Sequence, residues 1–265
     1  MTNGSDARAR PLATQSSLYA FVSRAPTRAV HVLRGRAGDV DADRAVTRRL
    51  VTEAGEVGEP ALRVWYPHRQ VAFGRRDARS EGYPAARRHA EQRGFAPIER
   101  GVGGRATAYI GAGSTLAFAR AEPVADARSG LTERYERTLD VLREALDGLG
   151  VEARRGEPPD SFCPGDHSLQ AAGKLVGLAQ RVRQDVALVA GILNVRDHGA
   201  VAAVLEPVYD ALDVPFDPES VGSVARAGGG TDPERVQERV EAALVGGRTA
   251  RVTPVAAYEG RRDDG

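Results

Sequence analysis

The sequence has few of the residues that mark an extracellular, metal-binding or membrane protein. One cysteine in 265 residues excludes an internal disulfide, so a reducing compartment is expected and we predict a cytoplasmic protein. The formal net charge is only +1 and no apolar run is long enough to span a bilayer, so neither nucleic acid nor membrane is expected as a partner. The five histidines lack the spacing of zinc ligands, which predicts no metal site.

Lysine is almost absent. Of the 37 lysine and arginine residues, only Lys174 is lysine. Both residue types serve on a solvated surface, but they differ where a compact ammonium on a flexible stem is required. A single lysine in a chain that otherwise uses arginine therefore indicates a chemical role, with chance survival at a solvated strand end as the alternative.

The order of strand and helix patterns favours an α+β fold around one sheet over a doubly wound parallel sheet. Residues 175–182 and 186–193 are rich in strand-forming residues and are predicted to pair. Residues 62–65 and 71–73 are predicted to form a second, hairpin-like pair. Residues 95–98 and 106–109 are two further strands, joined by a glycine loop.

Helices are predicted between these strands. Asp39 is a candidate N-cap for a helix that runs to about residue 54, and apolar residues recur at helical spacing over residues 131–149. A short helix over residues 197–205 is expected to end before Pro207, and a last helix covers residues 233–245.

No linker divides the chain, so a single catalytic domain is predicted over residues 18–250. Residues 1–17 are polar and are predicted to be a disordered tail. Residues 251–265 are predicted to be a short C-terminal tail.

Three glycines lie between two predicted strands, in the run Arg-Gly-Val-Gly-Gly-Arg at residues 100–105. Glycines let the backbone approach a ligand closely, and Arg100 or Arg105 can bind a phosphate or carboxylate through two hydrogen bonds. Gly103 and Gly104 are therefore candidate binding residues. The alternative is a glycine-rich hairpin turn without a ligand.

The only cysteine, Cys163, precedes the only lysine by eleven residues. A cysteine beside a cation has a lowered pKa and becomes a thiolate nucleophile, and an ammonium can stabilise the oxyanion of an attacked carbonyl. His167 is a candidate general base, or equally a histidine on a surface loop. An inert, buried thiol is the alternative for Cys163.

Three stretches resemble the catalytic domain shared by lipoate–protein ligases, octanoyltransferases and biotin–protein ligases. Residues 60–65 with 71–75 resemble the family's early strand pair, and residues 100–106 resemble its Arg-x-x-Gly-Gly loop. Residues 173–181 are similar to its lysine motif, in which Lys-x-x-Gly-x-Ala-Gln follows a glycine. The resemblance implies that Gly173, Gly177 and Ala179 contribute to the acyl-binding site.

The resemblance implies a mixed, largely antiparallel sheet covered by helices, with an acyl group held beside Lys174. It also implies a lipoyl-domain partner, which is a dehydrogenase acyltransferase subunit or a glycine-cleavage carrier protein, and acyl carrier protein as a possible donor of the octanoyl group. Lys174 would hold the carbonyl of the activated acyl group.

Differences between this sequence and the ligase motifs indicate which branch of the family it resembles. Ligases usually have two adjacent arginines before the glycine loop, whereas Glu99 precedes Arg100 here, and the segment Ser-Phe-Cys-Pro-Gly at residues 161–165 resembles the cysteine segment of octanoyltransferases. We therefore expect transfer through a thioester on Cys163, with no cofactor required. An ATP- and Mg-dependent lipoate–protein ligase is the alternative, and a non-catalytic acyl-binding or regulatory protein is a third.

Overall fold

The computed structural model describes residues 29–101, 104–111, 113–126, 129–183 and 185–260. The α-helices of this part of the chain are α1 (Val40–Val57), α2 (Tyr83–Gln92), α3 (Leu131–Asp147), α4 (His198–Ala211), α5 (Pro233–Val245) and α6 (Val255–Glu259). The strands are β1 (Val30–Arg34), β2 (Ala61–Trp65), β3 (Gln70–Phe73), β4 (Ala96–Glu99), β5 (Thr107–Tyr109), β6 (Thr115–Pro123), β7 (Arg154–Arg155), β8 (Ser168–Gln170), β9 (Lys174–Val182), β10 (Val186–Asn194) and β11 (Ala250–Pro254). None of the described helices combines the length and apolarity needed to cross a membrane.

The strands form two sheets. The larger has eight strands in the order β11-β1-β2-β6-β10-β9-β8-β7, and the smaller has the order β4-β3-β5. In the larger sheet β1 pairs in parallel with β11 and β2, and the remaining pairs are antiparallel. The predicted α+β fold with a mixed, largely antiparallel sheet is therefore confirmed, and so is the predicted pairing of β9 with β10.

Helices cover both faces of the larger sheet. On one face α3 and α5 bury their apolar sides in a core that includes Val64 of β2. On the other face lies α1, whose first turn is capped by the Asp39 carboxylate accepting the Ala42 N–H at 2.8 Å, as the sequence predicts. The smaller sheet packs with α2 and α4 in a separate core. The cavity described below lies where these two parts meet.

Two predictions about local structure are wrong. β2 and β3 do not form a hairpin, because β2 pairs with β1 and β6 in the larger sheet while β3 lies at the centre of the smaller one. Pro207 does not end its helix, because α4 continues to Ala211 with Pro207 inside it. The buried side chains of Val208 and Tyr209 hold this last turn in the core, which outweighs the hydrogen bond that proline removes.

The C-terminal residues belong to the folded domain, whereas a short tail was predicted. β11 adds to β1 at the edge of the larger sheet, and α6 buries Val255 and Tyr258 against α1. The expectation of a tail is therefore wrong for residues 251–259. The predicted N-terminal tail, residues 1–17, lies outside the described residues.

Candidate active site

A cavity of about 460 Å³ opens between α1, the β9–β10 hairpin and the segment that carries Cys163. This volume is typical of small-molecule sites, which occupy roughly 300–1,000 Å³. Much of the wall is apolar and includes Val51, Trp65, Ala72, Ile98, Phe118, Leu178, Val186, Leu188 and Ile192. Gly191 keeps the interior open, since a Cβ at this position would collide with the ring of Phe118. The cavity therefore suits a flexible hydrocarbon chain.

Cys163 lies in the cavity wall in a constrained backbone conformation. Its φ is +44°, which is unusual for a residue with a side chain, and its N–H donates to the Tyr209 hydroxyl at 2.6 Å. The preceding Phe162 is fully buried and anchors the segment. These contacts fix the position of the sulfur at the edge of the cavity.

The cation nearest to the thiol is Arg100. Its Nη2 lies 3.0 Å from the Cys163 Sγ and 2.5 Å from the carbonyl oxygen of Arg105. No carboxylate pairs with Arg100 in the part of the chain that the structure describes. Burial raises the pKa of the Cys163 thiol, but the charges of Arg100 and Lys174 lower it by more, so this pKa lies below that of a free thiol.

Lys174 is buried rather than solvated, with 0% of its surface exposed. Its ammonium donates to Glu157 Oε2 at 2.5 Å, to the Phe162 carbonyl at 2.9 Å and to the Cys163 carbonyl at 2.8 Å. An ammonium has three hydrogens, so these contacts use all of them. In this arrangement Lys174 holds the backbone of the cysteine segment. It is neither a residue at a solvated strand end nor a free donor to an oxyanion.

Glu157 is a site residue that the sequence analysis missed. Besides Lys174, its carboxylate accepts the Gly165 N–H at 2.8 Å and the Ser168 hydroxyl at 2.7 Å. It thus ties the ammonium to the far end of the cysteine segment. The sequence carries no motif for this role, because Glu157 lies outside the motifs and meets Lys174 only through the fold.

A comparison with known families decides the relationship. The lipoyl protein ligase A/B catalytic domain matches this chain over residues 39–244. The chain belongs to this family. The resemblance inferred from the sequence is therefore confirmed.

Individual relatives agree with this assignment. An octanoyl-[GcvH]:protein N-octanoyltransferase from Exiguobacterium sibiricum is 32% identical over 136 residues, which cover 48% of this chain and 46% of the relative. The match thus spans about half the length of that curated relative. A crystal structure of lipoate-protein ligase A bound with ATP has a TM-score of 0.69 at 20% identity, covering 85% of this chain and 89% of that one. A bi-partite lipoate protein ligase from Thermoplasma acidophilum has a TM-score of 0.61 at 16% identity, covering 86% and 87%. At these identities the structures establish the fold.

The glycine loop of the lipoyl ligase family lies directly against the thiol. Gly104 has a φ of +76°, and a Cβ there would collide with the Cys163 sulfur and lie 2.9 Å from Arg100 Nη2. Only glycine allows this approach. Gly103 lies outside the described residues. Arg105, expected to bind a ligand, is instead paired with the buried Asp77 at 3.2 Å and does not line the cavity.

The residues of the lysine motif divide between the cavity and the core. Gly177 and Ala179 line the cavity, as the resemblance implies for an acyl-binding site. Gly173 does not; its φ is +109°, and a Cβ there would lie 2.5 Å from the backbone nitrogen of Gly222, so it permits a close backbone contact. His167 lines the cavity with its ring stacked on Tyr135 at 3.6 Å, and no hydrogen bond joins it to Cys163 within the described residues.

An arginine that does not itself line the cavity contacts three residues that do, Asp43, Thr47 and Trp65. Arg63 of β2 is fully buried and pairs with the carboxylate of Asp43 on α1. It also donates to the hydroxyl of Thr47 at 2.7 Å and to the carbonyl of Gly35 at 2.9 Å. The Trp65 indole donates to the other oxygen of the same carboxylate at 2.9 Å. The described residues hold no cluster of three or more His, Cys, Asp and Glu side chains suited to a metal ion.

Proposed function

We propose that this protein transfers an octanoyl or lipoyl group to the acceptor lysine of a lipoyl domain through a thioester on Cys163. The observation that carries the proposal is the 3.0 Å contact between the Cys163 sulfur and Arg100 at the wall of an apolar cavity. Membership of the lipoyl ligase family supports the substrate class. The octanoyltransferase name of the relative supports transfer between carriers, with the glycine-cleavage carrier as donor.

The reaction has two steps. The Cys163 thiolate attacks the acyl carbonyl of the donor, a C–S bond forms, and the bond from the carbonyl to the donor's sulfur or nitrogen breaks as that atom takes a proton from solvent. The neutral amine of the acceptor lysine then attacks the thioester, a C–N bond forms, the C–S bond breaks, and the nitrogen loses a proton to solvent. The thiolate is regenerated beside Arg100, which stabilises it in both steps.

The other residues position these groups. The acyl chain occupies the apolar cavity beside Gly177 and Ala179. Lys174 and Glu157 hold the cysteine segment in its strained conformation, so that the sulfur faces the carbonyl of the acyl group. This role differs from direct contact between the Lys174 ammonium and the carbonyl, which would require at least one of its three hydrogen bonds to open.

Intact-mass spectrometry tests the proposal. After incubation with an octanoylated donor carrier, the protein is expected to carry one octanoyl adduct that hydroxylamine removes. The Cys163→Ser variant should not form this thioester. Adding an apo lipoyl domain should then discharge the adduct onto that domain. Full transfer activity in Cys163→Ala would refute the covalent route. The absence of any transfer by the wild type would leave acyl binding without catalysis as the function.

An ATP-dependent lipoate–protein ligase is the second candidate. It is favoured by exposed arginines at the cavity mouth, Arg48 and Arg183, which can bind phosphate groups. We expect no requirement for ATP, because a donor carrier already supplies an activated acyl group. Lipoylation of an apo domain from free lipoate that depends on ATP and Mg²⁺ would establish the ligase instead.

A further inference from the structure

Three arginines at the cavity mouth have no carboxylate partner among the described residues. This arginine rim consists of Arg48 on α1, Arg181 on β9 and Arg183 directly after β9, all of which line the cavity. Arg48 and Arg183 are exposed, and Arg181 is half-buried. Within the described part of the chain, none of the three side chains makes an ion pair or a side-chain hydrogen bond.

Many other arginines of this protein are paired. Arg34 pairs with Glu241, Arg155 with Glu136 and Asp140, and Arg251 with Glu59. The chain as a whole is nearly neutral, with a net charge of +1, so acidic partners are abundant. The rim therefore concentrates positive charge around one opening.

Acidic groups beside the cavity do not neutralise the rim. The carboxylate of Asp43 lines the cavity but is occupied by Arg63 and Trp65. Asp166 is the other carboxylate in the cavity lining, against five arginines: Arg44, Arg48, Arg100, Arg181 and Arg183. An excess of one charge around an opening attracts groups of the opposite charge.

We propose that the arginine rim docks an acidic surface of the lipoyl domain around its acceptor lysine. The proposal rests on the proposed function, because the acceptor lysine must enter this opening to reach Cys163. The domain surface beside that lysine must then lie on the rim. A lysine ammonium is itself repelled by the three guanidinium groups, so the domain has to supply carboxylates that offset this repulsion.

Charge reversal tests the rim. The double variant Arg48→Glu/Arg183→Glu is compared with Arg88→Glu, which changes an exposed arginine on α2 outside the cavity lining. The acceptor is an apo lipoyl domain with acidic side chains beside its lysine. We expect the KM for this domain to rise on the order of tenfold in the double variant, with a small change in kcat and no change in the control. The KM of the double variant should also depend less on salt concentration than the KM of wild type does.

A second acceptor sharpens the test. When the carboxylates beside the lysine are changed to amides, the double variant should no longer have the higher KM. Equal KM values with the unmodified acidic domain would overturn the docking proposal. So would a rise in KM that is the same with the acidic and the amidated domain. Binding of ATP to the wild type that the double variant loses, without a change in KM for the domain, would make the rim a phosphate site instead.

The two proposals fail in distinguishable ways. Acylation of Cys163 by a small neutral thioester, octanoyl-N-acetylcysteamine, measures the chemistry without a docked carrier. Acylation in wild type and double variant alike, with equal KM values for the acidic domain, would reject only the docking surface. No acylation of Cys163 by this thioester or by an octanoylated carrier would reject the proposed function itself.

Discussion

Arg100, which lines the cavity, and Arg63, which pairs with the cavity residue Asp43, have different surroundings. Arg63 pairs with the Asp43 carboxylate and donates to three further oxygens, from Asp43, Thr47 and Gly35. Arg100 has only a carbonyl, a hydroxyl and the sulfur of Cys163 as acceptors among the described residues. The charge of Arg63 is balanced within the protein, whereas the charge of Arg100 is balanced only when the thiol becomes a thiolate.

The difference shows how one residue type serves structure or chemistry. A buried cation with a carboxylate partner connects two elements, here α1 and β2, and its removal leaves a buried charge. A cation without such a partner stabilises whichever anion forms beside it. The following predictions test this contrast, from the largest expected effect to the smallest.

Cys163→Ala should have the largest effect, because it removes the anion that balances Arg100 and the proposed nucleophile. We expect acyl transfer to fall by on the order of 10³-fold or more. Transfer to a lipoyl domain, followed by mass spectrometry of that domain, measures this loss. Thermal melting of the same variant at a pH below the folded pKa of the thiol should remain close to wild type, since the change there removes only a neutral thiol from the edge of a cavity. Transfer at the wild-type rate would show that the thiolate beside Arg100 is not the nucleophile.

Arg63→Met should mainly affect stability. It leaves the Asp43 carboxylate without its ion-pair partner on a buried wall, and breaking such a pair costs about 3–5 kcal/mol. Urea unfolding gives the free energy of unfolding. Arg63→Met combined with Asp43→Asn should recover part of the loss. If the single variant is as stable as wild type, the Arg63 side chain does not stabilise the fold and the contrast with Arg100 is lost.

Arg100→Gln should mainly affect chemistry. Without the guanidinium, burial dominates and the pKa of the Cys163 thiol should rise, so the thiolate fraction at neutral pH and the transfer rate should fall, the rate by on the order of 10²-fold. The rate of alkylation by iodoacetamide as a function of pH gives the thiol pKa. Arg63→Met is the matched control, and it should leave this pKa unchanged. A shift of equal size in both variants would remove the distinction between the two arginines.

Lys174→Arg should impair both folding and transfer. Lys174 is fully buried and its three hydrogens are all bonded. A guanidinium is larger, and overpacking a buried site costs about 1–3 kcal/mol. Differential scanning calorimetry should show a lower Tm, and the transfer assay should show reduced activity. An unchanged Tm would mean that the site accommodates arginine, in which case activity alone reports the role of the ammonium.

The pH dependence of stability should show a smaller effect. The pKa of Cys163 is lowered in the folded protein, so between this value and the pKa of the unfolded thiol the folded state binds fewer protons. The resulting stabilisation is present above the unfolded pKa and is lost as the pH falls through the folded pKa. The free energy of unfolding of wild type relative to Cys163→Ala should therefore increase with pH across this window. Parallel curves for the two proteins would contradict a lowered pKa.

The sequence by itself determined much of the local structure and the family. Periodic apolar residues gave α3, the Asp39 cap gave the start of α1, and two β-rich runs gave the β9–β10 pair, because these signals act between near neighbours. The scarcity of lysine and cysteine identified Lys174 and Cys163, since a single residue of a reactive type stands out by composition alone.

Only the tertiary structure decided how these residues are connected. Arg100 lies 63 positions before Cys163, and Tyr209, whose hydroxyl accepts the Cys163 N–H, lies 46 positions after it. Glu157 meets Lys174 through a folded segment that no motif marks. Which cation faces the thiol and which is neutralised by a carboxylate depends on contacts between distant elements. Local propensity carries no information about such contacts, because they join residues that are distant in the sequence.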